Sequence, residues 1–211
     1  MHKAKMNLVL SLALGLAAPL LPALELEPNA LLQATTLEVI TAMKQERDQR
    51  GGQQKQIAGL IETKIVPLFD FARMTQLALA RNWRAATPGQ QAALTAAFKS
   101  LLVRTYSSAL SSYRDQVIEF RSLRAAADAT EVTVKSVVKQ SGTAPLAMDY
   151  EMEKTPAGWK VYDITVAGIS LVTSYRDSFA EMIRDGGVDG LIKALEEKNR
   201  QDESRTAASR G

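Results

Sequence analysis

The segment from Gly158 to Leu195, GWKVYDITVAGISLVTSYRDSFAEMIRDGGVDGLIKAL, limits the folds open to this chain more than any other, because it joins a strand pattern to helical patterns through a turn with no slack. Trp159 to Val166 is rich in aromatic and β-branched side chains on both faces, so it predicts a strand that must be covered from both sides. Gly168 permits a sharp backbone turn, and Ser170 is placed to cap a helix whose stripe is Leu171, Tyr175, Phe179 and Met182. Gly186 and Gly187 are expected to end that helix. Val188, Leu191, Ile192 and Leu195 then build a second, shorter one.

The inventory excludes several chemistries. The 211 residues include no cysteine, which removes disulfides, thiolate nucleophiles and the lipid-modified cysteine of an anchored lipoprotein. The single histidine is His2, so a chain that loses its N-terminus has none for a catalytic triad or a zinc site. Residues 1–23 have the form of a secretory signal peptide: Lys3 and Lys5, an apolar run from Met6 to Leu21, and Ala23 as the cleavage residue. That run is shorter than the roughly 20 residues a bilayer-spanning helix needs and is broken by Pro19. Losing it takes two charges from a net of +3, and so balanced a surface without a basic run is not that of a nucleic-acid binder. The rest reads as one domain over 24–199 and a polar, disordered tail from Arg200 to Gly211.

The first half of the mature chain is helical in period. Leu31, Leu32, Val39 and Met43 share a stripe that should stop near Gly51, and Ile57, Leu60, Ile61 and Ile65 mark a helix closed by Pro67. Asp70 is placed to cap a third helix carrying Met74, Leu77 and Ala78. Thr87-Pro88-Gly89-Gln90 has the form of a capping box opening the longest helix, with Leu94, Phe98, Leu101, Leu102 and Thr105 along one face to about Tyr113.

After Asp115 the period becomes two. Candidate strands are Val117 to Leu123, Thr130 to Lys139, Ala144 to Lys154 and Trp159 to Val166, with turn residues between neighbours, so a four-stranded antiparallel meander is expected. The third alternates most cleanly, with Leu146, Met148, Tyr150 and Met152 on a dry face and Asp149, Glu151 and Glu153 on a wet one. Alternating strands beside amphipathic helices suit a filled core and a hollow one alike.

The W, VYD, GIS, YR and GxxGLIxxL features of the opening segment, with VPLFDF at Val66 to Phe71 and ATPGQQAALTAAFKSLLVRTYSSALSSY at Ala86 to Tyr113, closely resemble the MlaC, or toluene-tolerance, family of periplasmic phospholipid carriers. The resemblance implies an α+β fold, NTF2-like, in which helices packed on the sheet enclose a hydrophobic cavity. It implies a non-enzymatic monomer, with no cofactor beyond a phospholipid cargo, that shuttles glycerophospholipid between inner and outer membranes and maintains outer-membrane lipid asymmetry. Its partners would be an outer-membrane lipoprotein-porin complex and an inner-membrane MCE-type protein of an ABC transporter.

On this reading Leu146, Met148, Tyr150 and Met152 line the cavity, with Val134 and Ile164 from neighbouring strands and Phe69 and Phe71 from the aromatic turn. Methionine suits such a wall because its flexible thioether adapts to chains of different length. Leu102, Tyr106 and Leu110 of the long helix complete the set with Ile169 at the strand-to-helix turn, Tyr106 and Ile169 matching the family pattern most directly. The joints at Gly51-Gly52 and Gly168 are candidates for opening movements. Two alternatives stand beside this: a ketosteroid isomerase-like enzyme with Asp163 as base and Tyr150 as acid, and an adaptor that binds no lipid. The plainer role for Asp163 and Arg176 is a structural cap or ion pair.

Overall fold

The computed structural model describes residues 26–48, 59–111 and 113–208. The leader, the Gly51-Gly52 joint and Ile57 lie outside them, as do the side chains of residues 108–112, including Leu110.

Helix α1 (Pro28–Asp48) buries Leu32, Val39 and Met43. A wide π-helical turn, Ile61–Ile65, and a tighter 3-10 turn, Val66–Leu68, lead to α2 (Phe71–Leu79), where the carboxylate of Asp70 accepts from the Arg73 backbone N–H at 2.8 Å. Trp83 follows in a separate 3-10 turn, Ala80–Ala85. Helix α3 (Pro88–Ser111) opens on the expected reciprocal cap: the Thr87 N–H donates to Gln90 Oε1 at 2.9 Å and the Gln90 N–H to Thr87 Oγ1 at 3.3 Å.

The sheet is an antiparallel meander, β1 (Val117–Phe120), β2 (Glu131–Lys139), β3 (Leu146–Thr155), β4 (Gly158–Val166) and β5 (Ile169–Ser170). It has five strands, not four. Ala167 (φ 50) and Gly168 (φ 83) both adopt positive φ, which makes a two-residue hairpin turn that folds Ile169 back against Val166. The Ala-Gly pair lacks the Asn or Asp that usually marks such turns, so β5 was not legible. The outer edge of β4 is thereby covered at one end by β5 and at the other by a parallel bridge from Phe69 to Val161, leaving little free edge for another chain to pair with. A bulge inserts one extra residue of β4, Tyr162, opposite the Glu151–Met152 step and turns its ring under the Arg73 guanidinium, 3.7 Å from the ring centre.

Helix α4 (Arg176–Ala208) carries the second correction. Gly187, at φ 68 and ψ −175, leaves the helical conformation, so the first limb ends where the glycines were expected to end it, but the limb from Val188 to Ala208 is the longer and not the shorter. The tail expected to be disordered from Arg200 is helical through Ala208, supported by Arg200 to Glu197, Gln201 to Glu197 at 3.0 Å and Arg104 to Glu203. Spaced charge pairs and contact with α3 hold there what composition alone does not.

Two cores result. Met74, Leu94, Phe98, Leu101, Phe179 and Leu191 form one among α2, α3 and α4, with Phe98 edge-on to Tyr175 and Phe179 at 5.1 and 5.2 Å. Leu32 of α1 joins Val132, Val134, Met152, Trp159 and Val161 in the other, on the dry face of the sheet. Phe69 packs against both.

Replacing Ala167 by Asn, which tolerates positive φ better than alanine, is expected to raise stability by about 0.5–1 kcal/mol and the melting temperature by roughly 2–4 °C. A thermal melt reads this directly, and a lower value would refute the turn assignment.

Candidate functional site

The dry face is set by register. Val134 of β2 pairs with Tyr150 of β3, which pairs with Ile164 of β4, so three predicted residues lie in one row across the sheet. Met148 and Ser136 form the next row, and Leu146 and Val138 the last. Burial falls along that direction. Val134 and Met152 are fully buried, Tyr150, Ile164 and Met148 are half-buried, and Leu146 is 40 % exposed.

The same end of the sheet exposes Val117 at 54 % and Ile169 at 68 %. Leu146, paired with Val138, and Ile169, paired through Val166 to Met148, face the dry side there and form its rim, whereas Val117 pairs with Lys139 and faces the other side. Tyr106 of α3, 41 % exposed, stands beside Tyr175, whose hydroxyl is pushed up to about 12 by burial first and then by the Tyr106 neighbour. Leu102, four residues earlier, is buried in the helical core, and Phe69 and Phe71 stack at 5.7 Å where the two cores meet.

The predicted residues therefore fall into three groups: a buried inner row, a half-buried middle of the sheet, and exposed residues at the rim. What separates the outer sheet from the helices is topology. The close backbone approaches to the sheet are those of α1 to β2 and of α2 and its preceding turn to β4, while α3 packs on α2 and α4. The outer half of the dry face thus keeps apolar surface that packing has not closed. Leaving such surface open costs about 25 cal/mol per Å².

Two polar groups interrupt that face. The Tyr150 hydroxyl is pushed to higher pKa mainly by burial, with the neighbouring Ser136 hydroxyl opposing, and reaches Met148 Sδ at 4.0 Å. Ser136 Oγ is buried beside that hydroxyl and makes no well-formed hydrogen bond among the described residues, which is unfavourable for a buried donor. Sequence reading passed over Ser136, although a serine in a row of valines was the available signal.

A groove of about 640 Å³ opens elsewhere, beneath the N-terminus of α1 and the loop after β1, between Asn29, Gln33, Leu123, Ala126, Lys154 and Trp159. None of the predicted lining residues reaches it. Its walls mix alanines and polar groups with Pro28, Leu123, Val132 and Trp159, the last two belonging to the dry-face core, so it opens at the α1 end of that face and away from the predicted lining.

The enzymatic pairing is not assembled. Asp163 pairs with Glu151 and Tyr150 with Ile164, which puts the proposed base and acid on opposite faces. Both carboxylate oxygens of Asp163 are engaged: Oδ1 accepts from the backbone N–H of Ile164 at 2.8 Å and of Val172 at 3.1 Å, and Oδ2 accepts from the Ser170 hydroxyl. Ser170 in turn accepts from the Thr173 N–H at 3.0 Å, capping a 3-10 turn that leads into α4. Arg176 donates to the Leu77 carbonyl at 3.0 Å and ties α4 to α2, so the two residues are structural without pairing to each other. Among the described residues no group of three or more acidic or histidine side chains is gathered to hold a metal.

The model of the MlaC protein family matches residues 33–197, which takes in α1 beyond Leu32, the helical core, the dry face and the Asp163 junction. The chain belongs to the MlaC family. Toluene tolerance protein Ttg2D of Pseudomonas putida is 27 % identical over 179 residues, covering 84 % of this chain and 83 % of that one. MlaC of Haemophilus influenzae, the binding protein of an intermembrane phospholipid transport system, is 19 % identical over 180 residues, with 84 % of each covered. The solved structure of a phospholipid-binding protein from Ralstonia solanacearum in complex with a phospholipid is 43 % identical, with a TM-score of 0.75 over 84 % of this chain and 99 % of that one. Among the described residues of this MlaC-family protein no helix is long and apolar enough to cross a membrane.

An Asp163→Ala substitution removes three acceptor contacts and leaves the buried Val172 N–H unpaired, so it is expected to cost about 3 kcal/mol and lower the melting temperature by roughly 6–12 °C. A melting temperature within 2 °C of the parent protein would show that the junction does not depend on this carboxylate.

Proposed function

We propose that this protein is a periplasmic carrier that moves glycerophospholipid between the inner and outer membranes and so maintains outer-membrane lipid asymmetry, without chemistry on its cargo. The observation that carries the reading is the phospholipid held by the Ralstonia solanacearum relative, whose fold this chain shares along nearly that protein's whole length. The half-open dry face supports it from within. Acyl chains would lie against Val134, Met148, Tyr150, Met152 and Ile164, with Phe69, Phe71 and Leu102 behind them and Leu110 as a further contributor. Leu146, Tyr106 and Ile169 would form the mouth.

Each enclosed methylene contributes about 0.8 kcal/mol, so two acyl chains offset departure from a bilayer only when most of their length is covered. The phosphate stays at the rim in water, because burying it without donors is costly. Residues 1–23 would direct export. An outer-membrane lipoprotein-porin complex would meet the carrier at one membrane and an MCE-type protein of an ABC transporter at the other, the carrier itself working as a monomer.

Native mass spectrometry of the protein exported from bacteria should show added mass in the phospholipid range, and the bare polypeptide mass alone would end the proposal. Photo-crosslinkers at Tyr106 and Ile169 should label lipid, whereas one at exposed Leu37 should not. Met148→Glu, which sets a charge on the apolar wall, is expected to lower lipid occupancy by about tenfold or more with little loss of thermal stability, since Met148 is only half-buried.

A further inference from the structure

The apolar row of β2 is broken at one place. Between Val134 and Val138 stands Ser136, 1 % exposed, its hydroxyl beside that of Tyr150 but in no well-formed hydrogen bond among the described residues. A valine there would continue the pattern and leave no donor poorly paired, so serine burdens the fold unless a better acceptor meets it.

The surroundings show how the hydroxyl is hidden. Register places Ser136 between Phe120 of β1 and Met148 of β3. The Phe120 and Tyr150 rings stack with centres 6.1 Å apart, although the strands bearing them are separated by β2 and so lie about 9.5 Å apart. The two rings therefore lean toward each other across β2 and roof the Ser136 row. Both are half-buried, and Met148 beside them is an unbranched, adaptable side chain, so the roof is made of groups that have room to move. Ser136 also lies two residues inside Val138, about 7 Å along the strand from the end where Val117, Leu146 and Ile169 are exposed.

We propose that Ser136 donates a hydrogen bond to an ester carbonyl of the cargo's glycerol backbone, and that it is uncovered when the Phe120–Tyr150 pair parts to admit the acyl chains. This rests on the carrier reading. A glycerophospholipid presents a phosphate that stays in water, a short spacer, ester carbonyls that accept but do not donate, and then hydrocarbon. With the phosphate at the apolar rim, the esters reach a depth of about one pleat repeat, which is the depth of Ser136. A carbonyl taken into apolar surroundings needs a donor and the serine hydroxyl needs an acceptor, so two groups that are each unfavourable alone satisfy one another. The chains beyond meet Val134, Met152 and Ile164.

The test is a competition. The exported protein is incubated with vesicles holding equal amounts of a diester phosphatidylglycerol and its dialkyl ether counterpart, and the ratio of the two lipids carried is read by native mass spectrometry. The parent protein is expected to favour the ester by about five- to tenfold, the yield of one net hydrogen bond. Ser136→Ala should bring the ratio close to one without reducing ether loading, and Ser136→Thr, which keeps the hydroxyl, should retain the preference. Equal ratios in parent and Ser136→Ala would overturn the inference while leaving the carrier reading intact. Failure of both lipids to load would overturn both readings.

Discussion

One carboxylate holds the two halves of the molecule in register. Asp163 draws together the Ile164 N–H of β4, the Ser170 hydroxyl of β5 and the Val172 N–H that leads to α4, and Val172 is itself fully buried in the helical core. The sheet and the helices touch over a limited front, so their relative placement depends on this junction and on Phe69, which bridges to Val161 and packs into both cores. A charge so placed is tolerated because donors surround it, and backbone N–H groups are donors that cannot swing away. It also explains the absence of slack between Val166 and Tyr175: the turn is pulled tight from within.

That arrangement leaves a consequence on the dry face. The helical core meets the sheet at the β4 edge and α1 covers its inner end, so Met148, Tyr150 and Ile164 are closed over only in part, and Leu146 and Ile169 least of all. A chain that needed only to fold would have filled this space, since each open methylene forgoes burial energy. Ser136 points the same way, because a poorly paired hydroxyl under an aromatic roof is unfavourable in the empty protein. These features lie together on the outer part of the dry face.

Much of the local structure was legible because local rules produced it. The strand pattern located β2, β3 and β4 within about two residues, and the caps at Asp70 and Thr87 formed as their sequences require, since a side-chain oxygen three residues ahead of an orphan N–H has little choice. What failed did so for non-local reasons. Met182, set on the apolar stripe by helical spacing, is exposed, and Ile183, four residues after Phe179, packs on the helical core instead. The polar residues from Arg200 on are helical because α3 supplies Glu203 with Arg104, and Asn199 reaches the Ala97 carbonyl at 3.0 Å. A pattern within one segment carries no information about such partners.

By itself the sequence determined the element types, the wet and dry faces of the sheet and the family, because periodicity, caps and motif spacing act over a few residues. Tertiary structure alone decided that Asp163 is a lock and not a base, that Ser136 is a buried donor, and that Leu146 and Ile169 share one rim. Those outcomes depend on strand register and on where the helices stop covering the sheet. Both follow from contacts between residues far apart in the chain, whose partners no local pattern names.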